Sequence, residues 1–137
     1  MRARPGHSVL ELAGALPMLV LLIYSVVGIQ RVIEARMELS AVVREAARSG
    51  AQASTPAEAI HAGKERGLQV AEAYGTVPAD LSLDVRRFRP GGSVTAAAVY
   101  TVSFGDLPGL GWARVELRGS QTEPVERYRS RPGRADR

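Results

Sequence analysis

The stretch RPGHSVLELAGALPMLVLLIYSVVGIQR, Arg4 to Arg31, carries one acidic residue, Glu11, at the mouth of an otherwise uncharged apolar run. Leu12 to Gln30 contains no charge and would rise roughly 28 Å as a helix, close to the hydrocarbon thickness of a bilayer. A secretory signal peptide has a shorter apolar region and a small-residue cleavage site behind it. Here VVGIQRVIEARMEL follows, without such a site, so retention in the membrane is expected. Arg2 and Arg4 precede the run, whereas Arg31 and Arg36 beyond it are balanced by Glu34 and Glu38. That bias favours an N-terminus inside the cytoplasm and the bulk of the chain outside.

Glu11 has two readings. As an interfacial residue it faces the positive end of a helix dipole, where a carboxylate is favoured. In the other, the chain is cut after Gly6, His7 becomes the N-terminus, and Glu11 is the fifth residue, four places along the same helical face. The new amine then pairs with the Glu11 carboxylate of its own or a neighbouring subunit. A charge that costs about 2.5–3.5 kcal/mol deep in lipid is thus neutralised when subunits stack. Pro17 interrupts one backbone hydrogen bond within the run, which membrane helices tolerate when neighbours compensate.

The chain has 137 residues, enough for a membrane segment and one small domain. It has no cysteine, which excludes disulfides and thiolate metal sites. The formal charge is +4, and the segment 127–137, with five arginines and one aspartate, carries all of it. The rest is close to neutral, so the high pI does not mark the whole domain as a nucleic-acid binder. No P-loop, HExxH or GxSxG pattern occurs, and His7 and His61 lack metal-ligand spacing, so no enzymatic activity, cofactor or metal is expected.

After Gln30 the helical pattern continues. Ile29, Val32, Ile33, Met37, Ser40, Ala41 and Ala47 fall at roughly helical spacing and are expected to face inward, with Arg44 interrupting the stripe. Ser49-Gly50 is a stop signal. The pattern predicts one helix of roughly 40 residues with its first half in the membrane, or a membrane helix followed by a separate amphipathic one. STPAEAIHAGKERGLQVAEAY (54–74) predicts a second helix, capped by Ser54 or Thr55, with Pro56 in its first turn and Glu58 supporting its start. Ile60, Leu68, Ala71 and Tyr74 are expected to face inward; Gly63 and Gly67 permit close packing.

From Asp80 the period becomes two. LSLDVRRF puts Leu81, Leu83 and Val85 on one face, RPGGS is a turn, and SVTAAAVYTVSF puts Val94, Ala96, Ala98, Tyr100 and Val102 on one face. GDLPGLGW reads as a loop, and ARVELRGSQTEPVERYR as a third strand with a candidate fourth past Pro124. The fold class is α+β: a long N-terminal helix, a second helix and a small antiparallel sheet covered by both. Arg86, Arg87 and Arg89 are candidate anion-binding residues; the competing reading is a solvated turn.

GHSVLELAGALPMLVLL resembles the class III signal of type IV pilins: basic leader, glycine, glutamate at the fifth mature position, apolar helix. More narrowly, VLELAGALPMLVLLIYSVVGIQR is similar to the start of TadE-like proteins, minor pilin-like subunits of tight-adherence (Tad/Flp, type IVb) pilus systems. Glu11, Ala13 and Pro17 fall at the matching spacing, and Gly28 suits the exit; Leu10 and Leu12 stand where valine and an aromatic are usual.

The resemblance implies a pilin-like fold with a leader at 1–6, cut between Gly6 and His7 by a prepilin peptidase. It implies a transmembrane helix at 7–30, an extracytoplasmic domain at 31–126 and a basic flexible tail at 127–137. Glu11 would set assembly register, and Leu12, Leu16, Pro17, Leu19, Leu22, Ile23, Val26 and Ile29 would form the membrane spine. Expected partners are other pilin subunits, the cytoplasmic membrane, membrane platform proteins and a cytoplasmic secretion ATPase acting through them, in a pilus serving adhesion or secretion. Nucleic acid is not an expected partner. The alternatives are an uncleaved single-pass adaptor for an envelope partner and a DNA-binding pseudopilin of an uptake system.

Overall fold

The computed structural model describes residues 5–76, 78–86 and 91–125, with the side chains of these apart from 5–10 and 78. One helix, α1 (Pro5–Ala51, 47 residues), runs unbroken through the apolar stretch and beyond it. Its length is about 70 Å. Pro17 lies inside it at the cost of one backbone hydrogen bond, and the helix continues on both sides. The expected stop at Ser49-Gly50 falls one residue early. Gly50 is still helical, and a Cβ there would sit 3.1 Å from the Ala59 carbonyl oxygen and 3.1 Å from Val94. That glycine serves a close crossing rather than a chain reversal. Ser49 Oγ donates to the Ala62 carbonyl at 3.1 Å and ties the same crossing.

Helix α2 (Pro56–Ala73) starts at a capping box: Thr55 Oγ1 accepts from the Glu58 backbone N–H at 3.2 Å, and the Glu58 carboxylate accepts from the Ser54 N–H at 2.8 Å. It ends where Gly75 takes φ 77°, with the Thr76 N–H donating to the Ala71 carbonyl and the Gly75 N–H to that of Glu72. A single 3₁₀ turn, Pro78–Asp80, then leads into the sheet.

Strands β1 (Leu81–Arg86), β2 (Ser93–Ser103) and β3 (Arg114–Pro124) form an antiparallel sheet in chain order. Leu81 pairs with Tyr100 and Val85 with Ala96; Val94 pairs with Glu123 and Val102 with Val115. The period-two reading of β1 and β2 holds: Leu81, Val85, Val94, Ala96, Ala98 and Val102 are buried, and Leu83 and Tyr100 half-buried. The third strand is a single 11-residue element; the candidate fourth strand beyond Pro124 lies outside the described residues. Polar side chains take the other sheet face, where Thr95 and Thr122 hydrogen-bond across β2 and β3 at 3.0 Å.

One face of the sheet is covered by both helices, α1 over β2 and β3 and α2 against β1, with α1 and α2 also packed on each other. The core is Leu39, Val42, Val43, Ala46 and Ala47 of α1, Ala71 of α2 and the inward strand residues. This corrects the facing of both helices. Of the stripe expected to point inward from α1, only Ala47 is buried; Val32 and Ala41 are half-buried, and Ile29, Ile33, Met37 and Ser40 are exposed. In α2 the buried face is Ala59, Gly63, Gly67 and Ala71, while Ile60, Leu68 and Tyr74 are exposed.

The physical reason is distance. A Cβ on Gly63 would lie 2.9 Å from the Ala46 carbonyl oxygen, and one on Gly67 would strike the Leu83 side chain and come 3.2 Å from the Ala46 Cβ. Across the sheet, a Cβ on Gly119 would lie 3.2 Å from Leu39 Cγ. Helices this close admit only small residues on the contact face, so Leu68 and Ile60 are turned away despite their hydropathy.

Candidate assembly helix and its exit clasp

Among the described residues, every residue of α1 from Glu11 to Ile23 is exposed. Leu12, Leu16, Leu19, Leu22, Ile23, Val26 and Ile29, the expected membrane spine, are all exposed, as are Met18 and Leu21 between them. Pro17 is exposed on the same rod. An apolar surface of this extent demands a cover, because monomeric soluble proteins rarely expose more than a few hundred Å² of contiguous apolar patch. The helix is long and apolar enough to cross a membrane. Ser25, in the second half of the apolar run, donates its hydroxyl back to the Leu21 carbonyl at 2.8 Å, which suits an apolar surround.

Glu11 is exposed at the start of this run. Gly6 and His7 are already helical, so His7 and Glu11 lie one turn apart on a continuous backbone, as the four-residue spacing requires. The His7 side chain lies outside the described residues, as do Arg87 and Arg89 of the candidate anion-binding group and the 127–137 segment. Arg86 is exposed, and its guanidinium is paired with Asp84 two places earlier on the same sheet face. Arg118 likewise pairs with Glu116, so acids accompany the arginines on this face. His61 is exposed beside Glu65, one turn on, with 3.6 Å between Nδ1 and the carboxylate.

Where the apolar run ends, a feature appears that the sequence reading did not contain. Arg31 grips Asp106 with both terminal guanidinium nitrogens, Nη1 to Oδ1 at 2.5 Å and Nη2 to Oδ2 at 2.7 Å, and Nη1 also donates to the Ser103 carbonyl at 3.3 Å. The Arg31 guanidinium lies 5.9 Å from the centroid of the Phe104 ring. Hydrogen bonding from Arg31 holds the Asp106 carboxyl at about 2, below its ordinary 3.8, and Asp106 in turn raises Arg31. Phe104 is buried with Ala35 and Val102 in a second small core, against which Val32, Leu107, Leu110 and Ala113 pack. The Phe104 ring lies beside Gly28, where an added Cβ would make an ordinary contact with it at 3.7 Å. Arg31 and Asp106 are 75 residues apart, and only the sheet's return brings them together.

A third polar contact sits deeper. Buried Thr76 donates to the Glu38 carboxylate at 3.3 Å. Burial, followed by the nearby Glu38 and Asp80 carboxylates, pushes the Tyr100 phenol up.

An uncovered apolar helix that runs without a break into the core of its own α+β domain joins, in one element, a segment long and apolar enough to cross a membrane and a segment that builds the fold. Residues 6–48 match the family model described as TadE-like protein, which covers α1 from Gly6 to Arg48 and ends before α2. Over this segment, less than a third of the chain, the protein is similar to TadE-like proteins, a family associated with Tad pilus systems. No curated protein and no solved structure matches the chain.

Proposed function

We propose that this chain is a structural minor pilin or pseudopilin, inserted by α1 in the cytoplasmic membrane with its N-terminus inside and the α+β domain outside, and taking part in assembly of a Tad-type pilus for adhesion or secretion. The observation that carries the reading is the bare apolar half of α1, headed by a single carboxylate and fused to a packed domain. A prepilin peptidase cuts between Gly6 and His7. The freed amine pairs with Glu11 of the same or a neighbouring subunit, and Leu12 to Ile29 exchange lipid for the helices of other pilin subunits. Membrane platform proteins and a cytoplasmic ATPase supply the motive force, and the chain itself performs no catalysis.

The chemistry supports this order of events. Before assembly Glu11 lies at the start of the lipid-facing run, where a charge is tolerated near the interface and costly deeper in. A cationic partner one helical turn away, or on an adjacent helix, removes that cost on stacking and penalises any register that leaves the acid alone. The exposed stripe Ile29, Ile33 and Met37 continues the apolar surface past the membrane exit and extends the packing face.

The test is N-terminal peptide mapping of the membrane protein with and without a co-expressed prepilin peptidase, beside a Glu11→Ala variant. The expected result is a mature chain starting at His7 only with the peptidase, and an Ala variant that is processed, stays in the membrane and fails to join the pilus machinery. A chain that still starts at Met1 in piliated cells, together with unimpaired assembly of the Ala variant, overturns the reading.

A further inference from the structure

The loop joining β2 to β3 has a tip without a charge: Leu107 to Ala113 reads LPGLGWA. Its one acid, Asp106, is held by Arg31. Leu107 and Leu110 turn inward onto the Phe104 cluster and fix the tip, while Pro108, Gly109, Gly111 and Trp112 are exposed. Trp112 is 81 % exposed, more than any other large apolar side chain among the described residues. Its indole N–H donates to the Gly109 carbonyl at 3.2 Å, so its polar end has a partner within the loop and an apolar ring faces outward.

The position of this tip matters more than its exposure. Phe104, Leu110 and Ala113 share one open apolar groove with Ser25 and Gly28 of α1. Ser25 lies six residues before Arg31, about 9 Å back along the helix into the uncharged run. The loop therefore meets α1 across the Arg31 exit: its Phe104 ring lies beside Gly28, and the shared groove extends back to Ser25. Part of the loop backbone is satisfied within the loop: the N–H groups of Leu107, Leu110 and Ala113 each donate to a carbonyl three residues earlier, and that of Gly105 to Ser103 Oγ. Tryptophan is enriched at this depth in membrane proteins, because its ring is stable at the headgroup level.

We propose that the β2–β3 loop is a second membrane contact: its tip, Pro108 to Trp112, lies in the headgroup region of the bilayer that α1 enters, with Trp112 as the anchor and the Arg31–Asp106 clasp holding the loop at that depth. The occupant of the exposed ring is phospholipid. The uncharged tip, the level of the loop on α1 and the inward-satisfied indole N–H all favour lipid over a charged or hydrogen-bonding protein surface. The proposal rests on α1 spanning the membrane, and is independent of cleavage and pilus assembly.

Trp112 is the only tryptophan in the chain, so its fluorescence reports the loop alone. The full chain is reconstituted in phosphatidylcholine–phosphatidylglycerol vesicles, with insertion read by flotation. Emission is measured with lipids brominated near the glycerol end of the acyl chain and with aqueous acrylamide. The expected result is emission blue-shifted from that of indole in water, severalfold stronger quenching by the brominated lipid than by acrylamide, and a return towards water-like emission in Asp106→Asn. Vesicles that float with the protein while Trp112 emits as in water and is open to acrylamide overturn the loop contact and leave the membrane helix standing. A ring shielded from acrylamide but untouched by brominated lipid, and increasingly so at high protein-to-lipid ratio, assigns the site to a second copy and overturns the lipid contact. A chain that does not float overturns both.

Discussion

Gly63 offers the sharpest test of how the two helices meet, because helix propensity and packing disagree on the sign of one substitution. In an isolated helix, Gly→Ala stabilises by about 1 kcal/mol. Here the added Cβ would sit 2.9 Å from the Ala46 carbonyl oxygen and 3.1 and 3.3 Å from the two γ-carbons of Val85. A side-chain end can swing aside, but a backbone carbonyl in the middle of α1 moves only with its helix. Relief therefore requires α2 to lift off α1 by a few tenths of an ångström along the whole Ala59, Gly63, Gly67, Ala71 face, which opens the contact to Val85 and Leu83. Overpacking of this kind costs about 1–3 kcal/mol, so after the propensity gain Gly63→Ala is expected to be destabilising by about 1 kcal/mol. For a domain of this size that lowers Tm by about 4–8 °C. Gly63→Val adds two further carbons without the propensity gain and is expected to lose about 3 kcal/mol. The assay is thermal unfolding in micelles followed by near-ultraviolet circular dichroism, because the bare half of α1 stays helical in detergent after the domain has unfolded. An Ala variant more stable than the native chain would refute the close crossing and return α2 to an ordinary amphipathic helix.

Two other outcomes follow from the caps and the clasp. Thr55→Ala removes the acceptor for the Glu58 N–H and is expected to cost about 1 kcal/mol, read as faster amide exchange confined to the first turn of α2. The Arg31–Asp106 clasp depends on pH in a stated direction: the folded state depresses the Asp106 carboxyl from 3.8 to about 2, so its contribution is whole above the ordinary value and is lost as pH falls towards and through about 2. A carboxyl titration by nuclear magnetic resonance that puts Asp106 at or above its ordinary value would remove the clasp.

Much of this architecture is legible without coordinates. The uncharged run and the switch to period two at Leu81 are strong local signals, and β1 and β2 bury the residues that alternation selects. The facing of the helices is not legible in the same way. In α1 both candidate stripes are apolar, one of large residues (Ile29, Ile33, Met37) and one richer in alanine (Ala35, Leu39, Val42, Val43, Ala46, Ala47), and hydropathy favours the first. The second is chosen because α2 and β3 come too near for anything larger at Ala46 and beside Gly119, a property of the pair of surfaces and not of either strip of sequence. Gly63 and Gly67 were the available hint, since two glycines one turn apart inside a helix lose stability unless something needs their emptiness. The clasp was hidden for another reason: nothing in a local window joins Arg31 to Asp106, and the salt bridge exists only because the β2–β3 turn carries the acid back to the helix exit. In the site itself the exposed apolar run and its single carboxylate, Glu11, are local features of the sequence, whereas the packing of Leu107 and Leu110 of the GDLPGLGW loop on the Phe104 cluster is not.

The continuity of α1 has a mechanical consequence. A rod of 47 residues that runs as one helix transmits torque: whatever turns or tilts its apolar end turns the sheet with it. With a length of about 70 Å, a tilt of about 20° sweeps the far end through about 24 Å. A pull along the axis of such a rod would move the whole sheet in one motion, as a handle carries its blade.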